Sequence, residues 1–293
     1  MAVGSKVVPV SQEEYTHGYF DLMAHQYILG DGWSTIRIRD VITQLRPEVG
    51  DRILDAGCAH GVFSIESRKR GAGVVGMDYA AEALKQARVL SGFILREKAP
   101  TFARASVAHL PFKDRTFNKI VSADVIEHIT PEEFARFGEE CYRVLDRQGI
   151  AVIYTPNPAS AGEKLRGEAK TSEYGGGKTR ISLKGAIDNL LKPIWDSIRP
   201  LLRYDEKITL QKRFNIPPVF PILHSRQIAY NQEQYDYLHV DLKDPVEVKG
   251  IFESKGFITR RCVVTRSGLW LQKLPFPLNL YWGGSVCFVF EKR

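Results

Sequence analysis

The sequence predicts an α/β protein with a doubly wound, mostly parallel sheet and one long insert. Two observations lead to this prediction. Between residues 52 and 157, apolar runs of strand length alternate with segments of helical periodicity, and short polar joints separate them. The alternation then stops for a long basic stretch and resumes near Asp244. One core domain that is interrupted by an insert accounts for both observations.

Two helices are predicted before the first strand, because apolar residues recur at helical spacing from Glu13 to Arg46 around a Gly-Asp-Gly break. The alternating part has predicted strands at 52–55, 73–78, 101–106, 119–123 and 150–154 and predicted helices at 61–70, 80–93 and 131–145. After the insert, a helix is predicted at 244–255 and strands at 257–265 and 285–291. The predicted division is a flexible tail at 1–11, a core at 12–158 plus 236–293, and a basic, partly helical insert at 159–235.

Composition and charge narrow the classes of function. The chain has 41 Lys and Arg against 34 Asp and Glu, a formal charge of +7. This mild excess permits an acidic partner, such as nucleic acid or anionic lipid, without requiring one. The four cysteines lie far apart with no CxxC pairing, which argues against a disulfide scaffold and for a reducing compartment. Since no apolar run approaches the ~20 residues that span a bilayer, a cytoplasmic location is expected.

Chemistry is expected at the carboxyl ends of the strands, where open α/β sheets bind their ligands. The segment ILDAGCAHG delivers Asp55 at the end of the first strand and then turns into a helix between Gly57 and Gly61. The helix N-terminus beyond the turn can hold an anionic group. The dinucleotide fingerprint G-x-G-x-x-G would need glycine where the chain has Ala59 and Val62. The turn therefore predicts a bound ligand and argues against a nicotinamide dinucleotide.

An acid and an aromatic residue follow at the second strand end. Asp78 closes the strand in VVGMDYA and can accept hydrogen bonds from both hydroxyls of a ribose. Tyr79 offers an aromatic face to a purine. A solvated loop acid is the alternative interpretation of Asp78, and the neighbouring turn favours the ribose.

Five segments, in order, resemble the class I S-adenosylmethionine-dependent methyltransferases that act mostly on small molecules and lipids. They are D-A-G-C-A-H-G, G-M-D-Y, A-H-L-P-F, D-V-I-E-H-I and R-V-L-D-R-Q-G-I-A-V-I. The resemblance implies S-adenosyl-L-methionine as cofactor and a seven-stranded, Rossmann-like sheet whose last strand is antiparallel. The residues that it implies for binding are Asp55, Gly57, Cys58, Ala59 and Gly61 for the methionine part, Asp78 for the ribose, Tyr79, Ser106 and Val107 for the adenine, and Asp124 near the sulfonium or the acceptor.

Two positions depart from the pattern of that family. The family usually has glycine at position 59 and often an acid at position 106, where this chain has Ala59 and Ser106. Ala59 is expected to cost little if its φ is negative. Ser106 is expected to weaken the contact with the adenine amino group without abolishing it.

A methyl acceptor that is a hydroxyl or an acidic carbon benefits from a general base. His128, with Glu127 beside it, is the first candidate, and His239 in YDYLHVDLKDP is another. The alternative for Glu127 and His128 is that they brace the loop after the fourth strand. His60 could reach the acceptor, although an exposed loop position is the ordinary expectation for such a residue.

The same segment raises the question of a metal. Asp124, Glu127 and His128 match an acid-x-x-Glu-His spacing that holds a divalent metal in ubiquinone-pathway O-methyltransferases. Carboxylates with an imidazole form a sound ligand set for a divalent ion. The rest of the chain does not single out that subfamily, so no metal is predicted.

The insert is where substrate choice is expected, because connections in this fold usually have only about two to six residues. Segment 183–203 places leucines and isoleucines on one helical face and Lys and Arg elsewhere, with two prolines that divide it. It can be an interfacial helix that meets an anionic membrane surface, or a cap over the active site. Segment 268–284 adds aromatic and apolar residues that can line an acceptor pocket.

These expectations point to transfer of a methyl group to a hydrophobic or lipid-linked small molecule, at oxygen or carbon. Two alternatives stay open: an RNA methyltransferase, and a methyltransferase-like scaffold that binds the cofactor without turnover. Nucleic acid is disfavoured, because the chain has no recognised RNA-binding module and its charge is modest for a reader of the phosphate backbone. Peripheral membrane contact is expected through segment 183–203, and segment 268–284 can meet the cap or form the other half of the membrane face.

Overall fold

The structure is a computed structural model that describes residues 23–24, 27–28, 30, 32–158, 242–265 and 284–293. The helices in these ranges are α1 (Gly32–Leu45), α2 (Val62–Lys69), α3 (Ala81–Leu95), α4 (Pro131–Val144) and α5 (Pro245–Ser254). The strands are β1 (Arg52–Ala56), β2 (Gly73–Asp78), β3 (Thr101–Arg104), β4 (Phe117–Ala123), β5 (Leu145–Pro156), β6 (Phe257–Thr265) and β7 (Ser285–Lys292). Short 3-10 turns lie at Arg96–Lys98 and Ile126–His128.

The strands form one seven-stranded sheet in the order β3-β2-β1-β4-β5-β7-β6. Neighbouring strands pair in parallel except at β7, which runs antiparallel to both β5 and β6. The prediction of a mostly parallel sheet with an antiparallel last strand is confirmed. The strand order reverses between β1 and β4, so the carboxyl ends of β2, β1 and β4 meet at the point where such sheets bind ligands.

Apolar packing covers both faces of the sheet. On one face, Leu54 of β1 shares a core with Phe134 of α4. On the other face, its neighbour Ile53 shares a core with Val41 and Leu45 of α1. Because successive residues of a strand point to opposite faces, a strand that is buried on both sides has a continuous apolar sequence. This packing holds β1 at the centre of the sheet and its carboxyl end at the ligand-binding edge.

Two helix starts follow signals that are visible in the sequence. Thr130 caps α4: its Oγ1 accepts a hydrogen bond from the Glu133 N–H at 3.3 Å, and the Glu133 carboxylate accepts one from the Thr130 N–H at 3.0 Å. The Asp244 carboxylate caps α5 by accepting from the Val246 N–H at 2.7 Å. These caps satisfy N–H groups that have no partner within the first turn, and both helices begin within one residue of their predicted starts.

The predicted and observed bounds differ most at β3 and β5. β3 ends at Arg104, two residues earlier than predicted, and the Ala105 N–H then donates to the carbonyl of Asp78 at 3.1 Å. β5 begins earlier than predicted, because Leu145 already pairs with Phe117 before an irregularity in the register. Both differences change only the bounds of a strand. The carboxyl ends of the strands stay at the ligand-binding edge, as predicted.

Several predicted regions lie outside the described residues. They are the tail, most of the first predicted helix, the insert with segment 183–203, and segment 268–284. The division of the chain into core and insert therefore stays a prediction. Within the ranges that the structure describes, no helix combines the length and the hydropathy that a membrane span needs.

Candidate functional site

A cavity opens at the carboxyl ends of β1, β2 and β4, with about 980 Å³ of space that includes its opening to solvent. The predicted site residues that line the cavity are Gly57, Cys58, Ala59, Asp78, Tyr79, Ser106, Val107, Asp124 and His128. Asp55, Gly61 and Glu127 are absent from its wall, and His239 lies outside the described residues.

The turn after β1 is held in a left-handed conformation. Gly57 has φ 74° and Gly61 has φ 79°. A Cβ on Gly57 would lie 2.3 Å from Cγ2 of Val125, so glycine is needed there for space as well as for conformation. The N–H groups of Gly57 and Cys58 both donate to the carbonyl of Met77, at 2.7 and 2.8 Å. These bonds tie the turn to the neighbouring β2.

Ala59 does not meet the condition under which it would cost little. Its φ is +47°, in the left-handed region, and so not negative. The physical reason is the hydrogen bond that this conformation allows, in which the Ala59 N–H donates to Oδ2 of Asp78 at 2.9 Å. The strain of a left-handed alanine is therefore linked to the position of the acid at the tip of β2.

Asp78 is buried and fixed at the end of β2. Its Oδ2 accepts from Ala59 and its Oδ1 accepts from the Ala80 N–H at 2.9 Å. Burial raises the pKa of its carboxyl above the ordinary value, and these backbone hydrogen bonds oppose the rise. Each carboxylate oxygen has a second lone pair, so Asp78 can still accept from ligand hydroxyls. Tyr79, half-buried, follows it in the wall.

Asp55 and Gly61 lie behind the wall of the cavity. Oδ2 of Asp55 accepts from Oγ of Ser64 in α2 at 2.6 Å. Burial raises the pKa of Asp55 to about 7, and the negative charge of Asp78 adds to the rise. A Cβ on Gly61 would come within 3.3 Å of the Phe102 ring, so this glycine permits close packing. Both residues shape the turn from behind, and their contact with the methionine part stays a prediction.

The end of β4 carries an ion pair that was not predicted from the sequence. Asp124, with φ 55°, accepts a hydrogen bond from Nη1 of Arg37 in α1, and both side chains line the cavity. The guanidinium also lies over the Phe63 ring, 5.7 Å from its centroid. A signal was present in the sequence, because Arg37 is aligned at helical spacing with Val41 and Leu45, which are fully buried. A charged side chain on a buried helix face requires a partner.

His60 also differs from expectation. The residue was expected in an exposed loop, but it is only 2% exposed and lines the cavity. Burial lowers the pKa of His60 to about 3, and the positive charge of Arg37 adds to the effect. The imidazole is therefore neutral at physiological pH. Its Nδ1 is buried without a hydrogen-bond partner.

Glu127 and His128 occupy different environments although they are adjacent. His128 is half-buried in the cavity wall. Glu127 is fully buried, and its Oε2 accepts from Oγ1 of Thr155 at 3.2 Å. Burial, and then the negative charge of Asp124, raise the pKa of Glu127 well above its usual range. Glu127 lies behind the cavity wall, a position that favours the role of bracing the loop after β4. His128, in the wall itself, can contact a ligand.

The remaining predicted groups are a thiol, a hydroxyl and a possible metal set. Cys58 lines the cavity, and burial raises the pKa of its thiol well above the usual value. Oγ of Ser106 accepts from the Ala108 N–H at 3.2 Å. Across the described ranges, no cluster of three or more His, Cys, Asp and Glu is arranged to hold a metal ion. The set of Asp124, Glu127 and His128 is not supported as a metal centre.

Comparison with known proteins gives a consistent result. Residues 54–153 match the family described as a methyltransferase domain. A probable S-adenosylmethionine-dependent methyltransferase of Mycolicibacterium smegmatis is 30% identical over 108 residues, which are 37% of this chain and 39% of that protein. The mitochondrial ubiquinone biosynthesis O-methyltransferase of Rattus norvegicus is 32% identical over 114 residues, 38% of this chain and 32% of that protein. The chain thus spans about a third to two fifths of these relatives.

A solved structure extends the likeness in fold over more of the chain. A SAM-dependent methyltransferase of Thermotoga maritima aligns with a TM-score of 0.57 and 12% identity, and covers 97% of this chain and 100% of the other. At this identity the alignment shows the fold alone. The sheet order, the motif-bearing strand ends and the family match agree: residues 54–153 form a methyltransferase domain, similar to those of S-adenosylmethionine-dependent methyltransferases.

Proposed function

We propose that this chain transfers the methyl group of S-adenosylmethionine to a hydrophobic or lipid-associated small molecule, at oxygen or carbon. One observation carries the proposal. A single cavity has Asp78 and Tyr79 on one side of the turn after β1, and the ion pair of Arg37 and Asp124 on the other side. The first pair suits a nucleoside, and the second suits a charged amino-acid group.

The residues present fit this cofactor. Gly57 leaves open the space that a side chain would fill, so a ligand can approach the backbone of the turn. Asp78 is held by two N–H groups with lone pairs left for ribose hydroxyls. Tyr79, Ser106 and Val107 would bound the adenine. When bound, the cofactor supplies a methyl group on a cationic sulfur, ready for in-line displacement.

The work of the protein is then to position the acceptor and exclude water. The Asp124 carboxylate, in the cavity wall, would favour a nearby positive charge. His128 would take the proton of a hydroxyl acceptor as general base. Glu127 has no direct part in this scheme, because it is buried behind the wall.

The proposed acceptor class has two supports. A relative with 32% identity is named as an O-methyltransferase of ubiquinone biosynthesis, which favours oxygen of a small molecule. Apolar residues, among them Phe63, Val125 and Ile129, contribute to the cavity wall and suit a hydrophobic acceptor. Association with a lipid surface through 183–203, and a base at His239, are predictions about residues outside the described part of the chain.

The test supplies the donor with a labelled methyl group and the full chain to a cell extract, which is then separated into lipid, small-molecule, RNA and protein fractions. We expect label in the lipid or small-molecule fraction. Label confined to RNA or protein would overturn the acceptor class. Binding of the donor with no label in any fraction would instead indicate a scaffold without turnover.

A pair of variants tests the site at the same time. Asp78→Ala should lose binding of S-adenosylhomocysteine by at least about tenfold, as expected for loss of hydrogen bonds to a charged group. Asp114→Ala is the matched control, because the Asp114 side chain is 75% exposed in an ion pair with Arg143. Equal binding by wild type and Asp78→Ala would show that the nucleoside lies elsewhere.

A further inference from the structure

The connection between β3 and β4 crosses one face of the sheet. Residues 105–116 lie within the described ranges and make this crossing without forming a helix. β3 ends at the ligand-binding edge, and β4, which runs parallel to the other strands there, begins at the opposite edge. A connection without regular secondary structure must find other partners for its backbone N–H and C=O groups. Leu110, only 4% exposed, anchors its middle in the core beneath α4.

Two side chains of α4 supply these partners. The Glu140 carboxylate accepts a hydrogen bond from the Leu110 N–H at 2.7 Å. Arg143 donates to the carbonyl of Leu110 at 2.9 Å and to the carbonyl of Phe112 at 2.7 Å. Arg143 also donates from Nε and Nη2 to the two carboxylate oxygens of Glu140, both at 2.8 Å. Such a bidentate pair has a defined geometry, so it holds the connection in one position.

The pair of Glu140 and Arg143 joins two sequence segments that the proposed function leaves without a role. Leu110 and Phe112 lie in A-H-L-P-F, and Arg143 begins R-V-L-D-R-Q-G-I-A-V-I. Hydrogen bonding to Arg143 lowers the pKa of the Glu140 carboxyl, so the pair is ionised at neutral pH. Neither residue is among those that line the cavity. An effect of the pair on a ligand must therefore pass through the connection that it holds.

The first residues of this connection belong to the cavity wall. They are Ala105, Ser106 and Val107. The Ser106 carbonyl accepts a hydrogen bond from the His109 N–H at 3.0 Å, which closes a turn between the wall and Leu110. Val107 and Leu110 also share one apolar core. Because the turn and the core couple these positions, a shift of Leu110 also moves Ser106 and Val107.

We propose that Glu140 and Arg143 are positioning residues for the adenine base of the cofactor. The assignment rests on the function proposed above, in which Ser106 and Val107 bound the adenine. The pair holds Leu110 by both its N–H and its carbonyl, and so keeps the wall at the distance where the base packs against it. The wall is then ordered during folding, and the ligand does not have to order it on binding.

The test measures ligand affinity and stability in the same variants. Arg143→Lys keeps the charge but lacks the planar group that bonds two carbonyls and a carboxylate together. By calorimetry on the full chain, Arg143→Lys and Glu140→Gln should each weaken binding of S-adenosylhomocysteine about fivefold or more. Asp114→Ala is the matched control, because it removes an exposed ion pair with Arg143 and leaves the bonds to Leu110 in place. Urea titration identifies conditions in which each variant is folded.

A double-mutant cycle on binding shows whether the effect passes through the cavity wall. Val107→Ala removes two methyl groups from the wall and should itself weaken binding of S-adenosylhomocysteine. If Arg143 acts through Val107, Arg143→Lys should weaken binding by less than about twofold when Val107→Ala is already present. Should Arg143→Lys fail to fold, Glu140→Gln completes the same cycle.

The outcomes separate this proposal from the proposed function. If the wild-type chain does not bind S-adenosylhomocysteine, the proposed function fails and this assignment fails with it. If the wild type binds and the folded Arg143 and Glu140 variants bind equally well, the pair only stabilises the fold and the positioning role is wrong. Fully additive effects with Val107→Ala would also overturn the role, because the wall would then not transmit the effect.

Discussion

Arg37 and Asp124 lie 87 positions apart in the sequence and form an ion pair in the wall of the candidate cofactor cavity. Their side chains are 11% and 25% exposed, so neither charge is fully solvated. The pair connects α1, the first described helix, to the end of β4. Its contribution to folding can therefore be measured independently of any ligand.

Loss of one partner should destabilise the fold more than loss of both. Arg37→Met leaves the Asp124 carboxylate partly buried without its cation, and should lower the free energy of unfolding by about 2 kcal/mol. Adding Asp124→Asn should recover part of this loss. Urea titration of wild type, the two single variants and the double variant completes a double-mutant cycle. The cycle gives the interaction energy between Arg37 and Asp124.

The matched control for this cycle is the exposed pair of Arg39 and Asp40 on the same helix. The Arg39 side chain is 68% exposed, so Arg39→Met should change the free energy of unfolding by less than about 0.5 kcal/mol. Strictly additive effects of the Arg37 and Asp124 substitutions would mean that the two charges do not stabilise each other.

Gly57 should tolerate no side chain. In Gly57→Ala the new Cβ would lie 2.3 Å from Val125, and the alanine would have to adopt φ 74°. We therefore expect a loss of about 2 kcal/mol or more in the free energy of unfolding. Adding Val125→Ala should remove the clash and leave the cost of the left-handed backbone. Thermal unfolding of the two variants separates the two contributions.

At Gly92, unlike at Gly57, an added side chain should stabilise the fold. It lies within helix α3, and a Cβ there would meet no atom within 4 Å. Gly92→Ala should therefore stabilise the chain by about 0.5–1 kcal/mol, because alanine favours the helix and restricts the unfolded state. Destabilisation at Gly92 as large as that at Gly57 would show that the contacts of Gly57 are not the cause.

The fold could be predicted because its signals are local. Residues within a few positions indicate where each strand ends or each helix starts. Examples are the apolar run that ends in Asp55, the acid at Asp78 and the capping residues of α4 and α5. In a parallel sheet, consecutive strand ends meet at one edge. The cavity-lining positions at Gly57, Asp78 and Asp124 followed from that rule.

The features that were missed depend on distant parts of the chain. The partner of Arg37 is far away in sequence, and only the packing of α1 on the sheet brings it to Asp124. The burial of His60 likewise depends on its neighbours in space. The positive φ of Ala59 is coupled to Asp78, which lies 19 positions later. Local pattern carries none of this information.

Substitution of Ala59 should raise the free energy of unfolding, whereas substitution of Gly57 should lower it. Ala59→Gly removes the strain of a left-handed alanine, about 1–2 kcal/mol, and adds freedom to the unfolded state, about 0.5–1 kcal/mol. The free energy of unfolding should rise by up to about 1.5 kcal/mol in urea titration. Ala83→Gly is the control, because Ala83 lies inside helix α3 and should only lose stability. A clear loss at Ala59 would show that its methyl group contributes more than its strain costs.

Glu127 should make stability depend on pH in an unusual direction. Its pKa is raised in the fold by burial, so the folded chain keeps a proton that the unfolded chain releases above about pH 4.5. Stability from this group is therefore highest at low pH and falls as pH rises toward the folded pKa, by about 1.4 kcal/mol per pH unit. Glu127→Gln cannot titrate, so its stability relative to wild type should increase by that amount per unit as the pH rises above about 4.5, for as long as the folded wild type keeps the proton. Glu97→Gln, at an exposed glutamate, is the control for loss of a carboxylate at the surface. Urea titrations at several pH values measure the difference, and a flat difference for Glu127→Gln would mean that Glu127 is ionised in the folded protein.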